Sequence, residues 1–149
     1  MSYLIDTNVL LRLVQDIHPM HDDAAASIRQ LLSINEELFI ISQNLIEFWA
    51  VATRPVNYNG LGLTIDQAEQ ELSKLKNIFI LRLDTAAIFL AWEKLVKVHK
   101  VAGKQVHDAR IVAAMLAHGI TDLLTFNTDD FKRYAEIQVI DPQSLANQV

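Results

Sequence analysis

The sequence predicts an α/β domain built on a mainly parallel sheet. Three observations carry that prediction. Short apolar runs rich in β-formers alternate with longer stretches of helical period along the whole chain. At 149 residues the chain has the usual size of one domain. Its apolar fraction of 51% is ample for a core.

The elements follow in order. "YLID" (residues 3–6) reads as a strand and "NVLLRLVQ" (8–15) as a short helix. "HPMHDDAAASIRQLLSI" (18–34) reads as a second helix, with Pro19 in its first turn and Asp22 and Asp23 matching the dipole there. "ELFIIS" (37–42) is a second strand. "QNLIEFWAVATR" (43–54) is a helix stopped by Pro55. "PVNYNGLGL" is turn-rich and reads as an exposed loop, either a mobile flap or a plain connector. In "TIDQAEQELSKLKN" (64–77), Thr64 and Gln67 have capping-box spacing, and Ile65, Ala68, Leu72 and Leu75 form one stripe.

"IFILRL" (78–83) is the third strand, followed by a helix from 84 to 100 with Asp84 or Thr85 as its cap. "VHDARIVAAMLAHG" is a nearly apolar helix that Gly119 ends. "DLLTF" (122–126) is the fourth strand, "NTDDFKRYA" a helical turn, and "IQVID" (137–141) a fifth strand before Pro142. The chain reads as a single domain, 1–149, without repeats or a linker.

Composition narrows the chemistry. There is no cysteine, so disulfides, thiolate zinc sites and a catalytic thiol are excluded. Unbroken apolar stretches such as "IVAAMLA" fall far short of the about 20 residues a membrane span needs. No basic segment precedes a long apolar run, so no signal peptide is visible and a cytoplasmic protein is expected. The net charge is −5, from 18 acidic and 13 basic residues. By itself that opposes a nucleic-acid partner, unless several acids gather around a cation.

Their placement points that way. Ligands of open parallel sheets bind outside the carboxyl ends of the strands. Asp6 ends the first strand, Glu47 lies one turn into the helix after the second, Asp108 starts the apolar helix, and Asp129 and Asp130 follow the fourth strand. Singly, Asp6, Asp108 and Asp129 have an ordinary alternative as helix caps. Glu47 sits among Leu45, Ile46, Phe48 and Trp49, where a carboxylate needs a cation or an ion pair with Arg12, Arg54 or Arg110. Together the acids repel one another, and a hard divalent cation relieves that cost. Such a site suits metal-assisted hydrolysis of a phosphodiester.

His18 and His21 lack a full ligand set and read as surface or capping residues. "NGLGL" lacks the lysine and preceding strand of a phosphate cradle. Trp49 and Trp92 read as core.

"LIDTNVLL", "NLIEFWAVATRP", "VHDARIVAAMLAHGI" and "LLTFNTDDF" resemble the four acidic motifs of PIN domains (PilT N-terminus), with a match close to VapC-type toxin ribonucleases of bacterial toxin–antitoxin pairs. The resemblance spans nearly the whole chain. It implies a five-stranded parallel sheet flanked by helices, Mg²⁺ or Mn²⁺ as cofactor, endonucleolytic cleavage of RNA, a homodimer and a cognate antitoxin. Asp6, Glu47 and Asp108 match the first three acids; Asp6 and Asp108 would hold the metal and Glu47 a water or a second metal. Many relatives carry Asp where this chain has Asn127, so the fourth acid shifts to Asp129, with Asp130 as the alternative. Thr7, Asn8, Thr125 and Asn127 are candidates to orient the ligands. Arg12, Arg54, Lys104, Arg110, Lys132 and Arg133 are candidates for the RNA backbone. Two other readings stay open: a phospho-acceptor signalling domain, disfavoured by the lack of a Lys after the last strand, and an inactive PIN domain that only binds RNA or a partner.

Overall fold

Strand β1 (Ser2–Ile5) lies at the centre of the sheet. It pairs in parallel with β2 (Glu37–Ile41) on one side and β4 (Asp122–Leu124) on the other. Strands β3 (Ile80–Arg82) and β5 (Gln138–Ile140) complete the order β3-β2-β1-β4-β5, and every pairing is parallel. The computed structural model describes residues 1–148, and in it seven α-helices flank this sheet. A central parallel strand is covered on both faces and must be apolar throughout. In β1, Tyr3 and Ile5 point into one core, with Val9, Leu10, Leu31 and Phe48. Leu4 points into the other, with Phe39, Ile111, Met115 and Leu123. That alternation follows from the two-residue period of a strand.

Helix α1 (Thr7–Val14) starts directly after β1, and Asp6 is its N-cap. Helix α2 (His21–Ser33) begins later than its sequence suggests. His18 Nδ1 accepts from the Met20 backbone N–H at 3.0 Å, closing a turn that leaves Pro19 outside the helix. Helix α3 (Ser42–Thr53) follows β2 without a linker.

Residues 55–63 form a connector hydrogen-bonded back to the end of α3. Leu61 N–H donates to Val51 O, Leu63 N–H to Ala52 O and Gly62 N–H to Arg54 O, at 2.9–3.0 Å. Gly60 packs so closely on Arg54 that a Cβ there would lie 1.9 Å from the Arg54 carbonyl oxygen.

In helix α4 (Ile65–Ile78) the capping box forms: Gln67 N–H donates to Thr64 Oγ1, and Thr64 N–H to Gln67 Oε1. Ala68 and Leu75 are buried, but Ile65 at the helix start is exposed. Because α4 runs on to Ile78, β3 is shorter than "IFILRL" implies. Helix α5 (Ala86–Val98) has Thr85 at its cap position, while Asp84 turns to Arg110. Helix α6 (Val106–His118) ends at Gly119, whose φ of 70° suits glycine. Asp141 is not part of a strand. It caps a short helix α7 (Pro142–Ala146), with Pro142 at the first helical position. Helix α7 packs on α2.

Candidate metal centre

The strand register decides which residues meet. Ile5 lies level with Leu124, so Asp6 and Thr125, the next residues on two adjacent strands, leave the sheet side by side. The Asp6 backbone N–H donates to Leu124 O at 3.0 Å. Thr125 Oγ1 then donates to Asp6 Oδ2 at 2.8 Å, and the Thr7 N–H to Asp6 Oδ1 at 2.8 Å. Asn8 completes the cradle. Its Nδ2 lies 3.3 Å from Asp6 Oδ2 and 3.0 Å from Thr125 Oγ1, while its Oδ1 accepts from Phe126 N–H. Asn127 N–H donates to Thr125 Oγ1.

Asp6 is 6% exposed. Desolvation pushes its pKa up from 3.8 to about 6; the bonds from Thr125 and Thr7 pull the other way, and Glu47 and Asp108 push it further up. Asp108, in the first turn of α6, is half-buried. Its pKa is raised too, first by desolvation and then by Asp130 and Glu47.

Glu47 is less enclosed than its apolar neighbours suggest. Ile46 beside it is 68% exposed, and Glu47 itself is half-buried on the cleft side of α3. No arginine pairs with it among the described residues. Thr7 Oγ1 donates to Glu47 Oε1 at 2.8 Å, and Gln43 Nε2 lies 3.4 Å from Glu47 Oε2. Asn44, fully buried, donates to Thr7 Oγ1 and accepts from the Ile41 N–H.

Asp6, Thr7, Asn8, Glu47, Arg54, Asp108 and Asn127 therefore line one cleft of about 390 Å³. A hollow of about 560 Å³ between residues 14–19 and the 55–63 connector is larger, but its walls are mainly apolar and hold none of the clustered acids. The other buried acid, Asp122, starts β4 at the opposite edge of the sheet.

Neither candidate for the fourth acid, Asp129 or Asp130, lines the cleft, and both are exposed. The Asp129 side chain is 83% exposed and paired with Lys132 at 2.7 Å. Asp130 is the residue whose charge acts on Asp108. Both candidates lie in the 3₁₀ turn Thr128–Phe131, which buries Phe131 and leaves the two aspartates exposed.

The basic candidates divide as well. Arg54 lines the cleft, is exposed, and forms no ion pair among the described residues. Lys104 is exposed. Arg110 is engaged with Asp84 and Gln43, Arg133 with Gln105, and Arg12 with Gln15. The histidines and Trp92 hold structural positions: His21 Nδ1 lies 2.9 Å from Arg12 O, and Trp92 Nε1 donates to Val106 O.

These donors fit a hard cation. All are oxygens, and the most buried one carries a charge the protein alone does not neutralise. Among the described residues no three His, Cys, Asp or Glu side chains stand close enough to cage an ion by themselves. That rules against a closed zinc-type site. Mg²⁺ keeps several waters and takes only one or two carboxylates directly, so it does not require such a cage.

The PIN domain family model matches residues 3–137. The chain belongs to the PIN domain family. Solved PIN structures share its fold. VapBC2 from Rickettsia felis, bound to a DNA fragment from its promoter, superposes with a TM-score of 0.72 at 17% identity, covering 95% of this chain and 98% of that one. VapBC-1 from nontypeable Haemophilus influenzae gives 0.70 at 20% identity, with the same coverage. Mycobacterium tuberculosis VapC20, a sarcin-ricin loop cleaving toxin, gives 0.61 at 20% identity over 87% of this chain and 92% of that one. No curated protein matches the chain in sequence. PIN membership sets the acids at the carboxyl edge in the context of a nuclease family.

Two residues of the network, Gln43 and Asn44, were not foreseen. A signal existed: Gln43 stands four residues before Glu47, on the same helix face.

Proposed function

We propose that this PIN domain is a Mg²⁺- or Mn²⁺-dependent endoribonuclease and the toxin of a type II toxin–antitoxin pair. One observation carries the reading: the buried Asp6 carboxylate shares its cleft with Glu47 and Asp108, and both charges act on it. A cation is the economical answer to three mutually repelling acids.

Asp6 and Asp108 would hold the ion, with Asp130 better placed than Asp129 to add a further oxygen. A divalent cation held there would supply Lewis-acid polarisation of the scissile phosphate and a lowered pKa for the attacking water. Glu47 Oε1 accepts from Thr7; Oε2, with only the long contact to Gln43, is the less engaged oxygen and would orient a water and accept its proton. Thr125, Thr7 and Asn8 keep the Asp6 carboxylate in one rotamer. Arg54 offers a cation at the cleft wall to an RNA phosphate, while Arg110, already engaged on two sides, leaves that set.

The names of the solved relatives support a toxin with a cognate antitoxin, and VapC20's supports RNA as substrate. The assembly would be a homodimer acting in the cytoplasm. Among the described residues no helix is long and apolar enough to cross a membrane. PIN membership leaves the phospho-acceptor reading without support.

The test is cleavage of total RNA with Mg²⁺ or Mn²⁺, with and without EDTA. Wild type should cut and EDTA should stop it. Asp6→Asn and Asp108→Asn should each abolish cutting while circular dichroism stays native. Cutting that survives both substitutions removes the proposal; binding without cutting by the wild type makes the chain an inactive PIN module.

A further inference from the structure

We propose that Gln43 is a positioning residue that sets Glu47 against the backbone carrying Asp108, and that Arg110 holds it in that orientation; this rests on reading the cleft as a metal centre. Gln43 lies in the first turn of α3 and is 9% exposed. Its amide is bonded at both ends. Nε2 donates to the His107 carbonyl at 2.9 Å and lies 3.4 Å from Glu47 Oε2. Oε1 accepts from Arg110 Nη1 at 3.1 Å. Arg110 Nη2 in turn pairs with Asp84 Oδ2 at 3.1 Å.

The chemistry of the partners fixes which way the amide faces. A guanidinium has donors only, and a carbonyl or carboxylate accepts only. The oxygen end of Gln43 must therefore meet Arg110, and its NH₂ must meet His107 O and Glu47. Turning the amide over would break all three contacts at once.

The two acids sit on different helices, Glu47 on α3 and Asp108 on α6, and they repel each other. His107 is the residue before Asp108. One buried amide thus ties the Glu47 carboxylate to the backbone that carries Asp108. Asp84, at the start of α5, anchors the far end of the chain of contacts. Its path runs Asp84, Arg110, Gln43, Glu47, Thr7, and crosses α6, α3 and α1.

Partners that orient the groups of a metal site typically cost 10–100-fold in metal affinity or activity when lost. The experiment is Mn²⁺ titration by calorimetry on the full chain, alongside RNA cleavage and thermal melts. Gln43→Leu should lower kcat by ~10-fold or more and weaken Mn²⁺ binding through the released His107–Asp108 backbone, with a native circular dichroism spectrum. Arg110→Leu should shift both in the same direction by a smaller factor. Arg110→Lys, which keeps a donor for Gln43 Oε1, should restore most of the loss. If Gln43→Leu does not fold, Gln43→Met preserves the volume and should show the same weakening. Wild-type Mn²⁺ affinity and kcat in the Gln43 variants overturn the proposal alone. So does an Arg110→Leu enzyme that loses only RNA affinity, which would return Arg110 to the substrate surface. A wild-type chain that binds no Mn²⁺ overturns the metal reading, and this inference with it.

Discussion

Thr7 Oγ1 donates a 2.8 Å hydrogen bond to Glu47 Oε1, joining the first turn of α1 to the middle of α3 across forty positions of sequence. The same hydroxyl oxygen accepts from Asn44 Nδ2. Thr7→Val keeps the shape and removes the hydroxyl. It leaves Asn44 short of a buried acceptor, at a cost of about 1–3 kcal/mol, and frees Glu47 to rotate. The expected outcome is a lower midpoint in urea and a fall in cleavage on the order of 10–100-fold. Thr7→Ser, which keeps the oxygen, should recover most of the activity. Near-wild-type activity in Val with a loss in Ser would show that the methyl group, not the bond, matters.

Asp6 makes stability depend on pH in a direction unusual for an acid. Its folded pKa is about 6, against an ordinary 3.8, so the native state holds this proton more tightly than the unfolded chain. Without metal, stability should therefore fall as pH rises from about 4 to about 6, and stay low above that. Two units at about 1.4 kcal/mol each make the ionised form dearer by about 3 kcal/mol. Asp6→Asn removes the charge but gives up donors from Thr125 and Asn8, costing about 1–2 kcal/mol. In EDTA at pH 7.5 this inactive variant should be the more stable protein by about 1–2 kcal/mol, and the gain should vanish by pH 4. Denaturation at the two pH values measures it; equal stabilities at pH 7.5 would mean Asp6 is not strained when charged. Mg²⁺ should stabilise the wild type at pH 7.5 and not the variant.

The two neighbouring aspartates should separate cleanly. Asp130→Asn removes a charge that acts on Asp108, and should lower cleavage and weaken Mn²⁺ binding. Asp129→Asn only releases an exposed pair with Lys132, worth at most about 1 kcal/mol, and should leave both near wild type. Calorimetry and initial rates on the two variants decide it, with Asn127→Ala, whose residue lines the cleft, as the third member. Loss confined to Asp129→Asn would reverse the assignment.

Gly60 admits no side chain. A methyl there would meet the Arg54 carbonyl at 1.9 Å, and both groups are backbone-borne. Gly60→Ala should cost about 1–3 kcal/mol or more through overpacking, read as a lowered melting temperature. Because the connector holds the end of α3, where Arg54 lines the cleft, KM for RNA should rise with it. An unchanged melt would mean that the connector moves away at little cost.

Much of the fold was legible because its signals are local. Buried parallel strands read as apolar runs, and helices such as α4 announce themselves by a capping box and a stripe. The acids stood out for the same reason. A carboxylate directly after "YLI", or inside "LIEFWAVA", conflicts with its neighbours. What escaped notice carried no such conflict. Gln43 and Asn44 look like ordinary first-turn residues, Arg110 looks like one more surface cation, and "DPQSLA" hides a short helix that packs on α2.

The sequence by itself determined the class of fold, the strand and helix order, and the acids Asp6, Glu47 and Asp108 as the residues to watch. Those follow from periodicity and from the cost of placing charge among apolar groups. Only the tertiary structure decided which partner each polar group takes: Thr7 for Glu47, Thr125 for Asp6, Gln43 for Arg110. Such pairings depend on strand register and helix packing, which bring residues forty to more than a hundred positions apart within hydrogen-bonding distance. No local pattern encodes that choice, because many side chains of the same chemistry would satisfy it equally well.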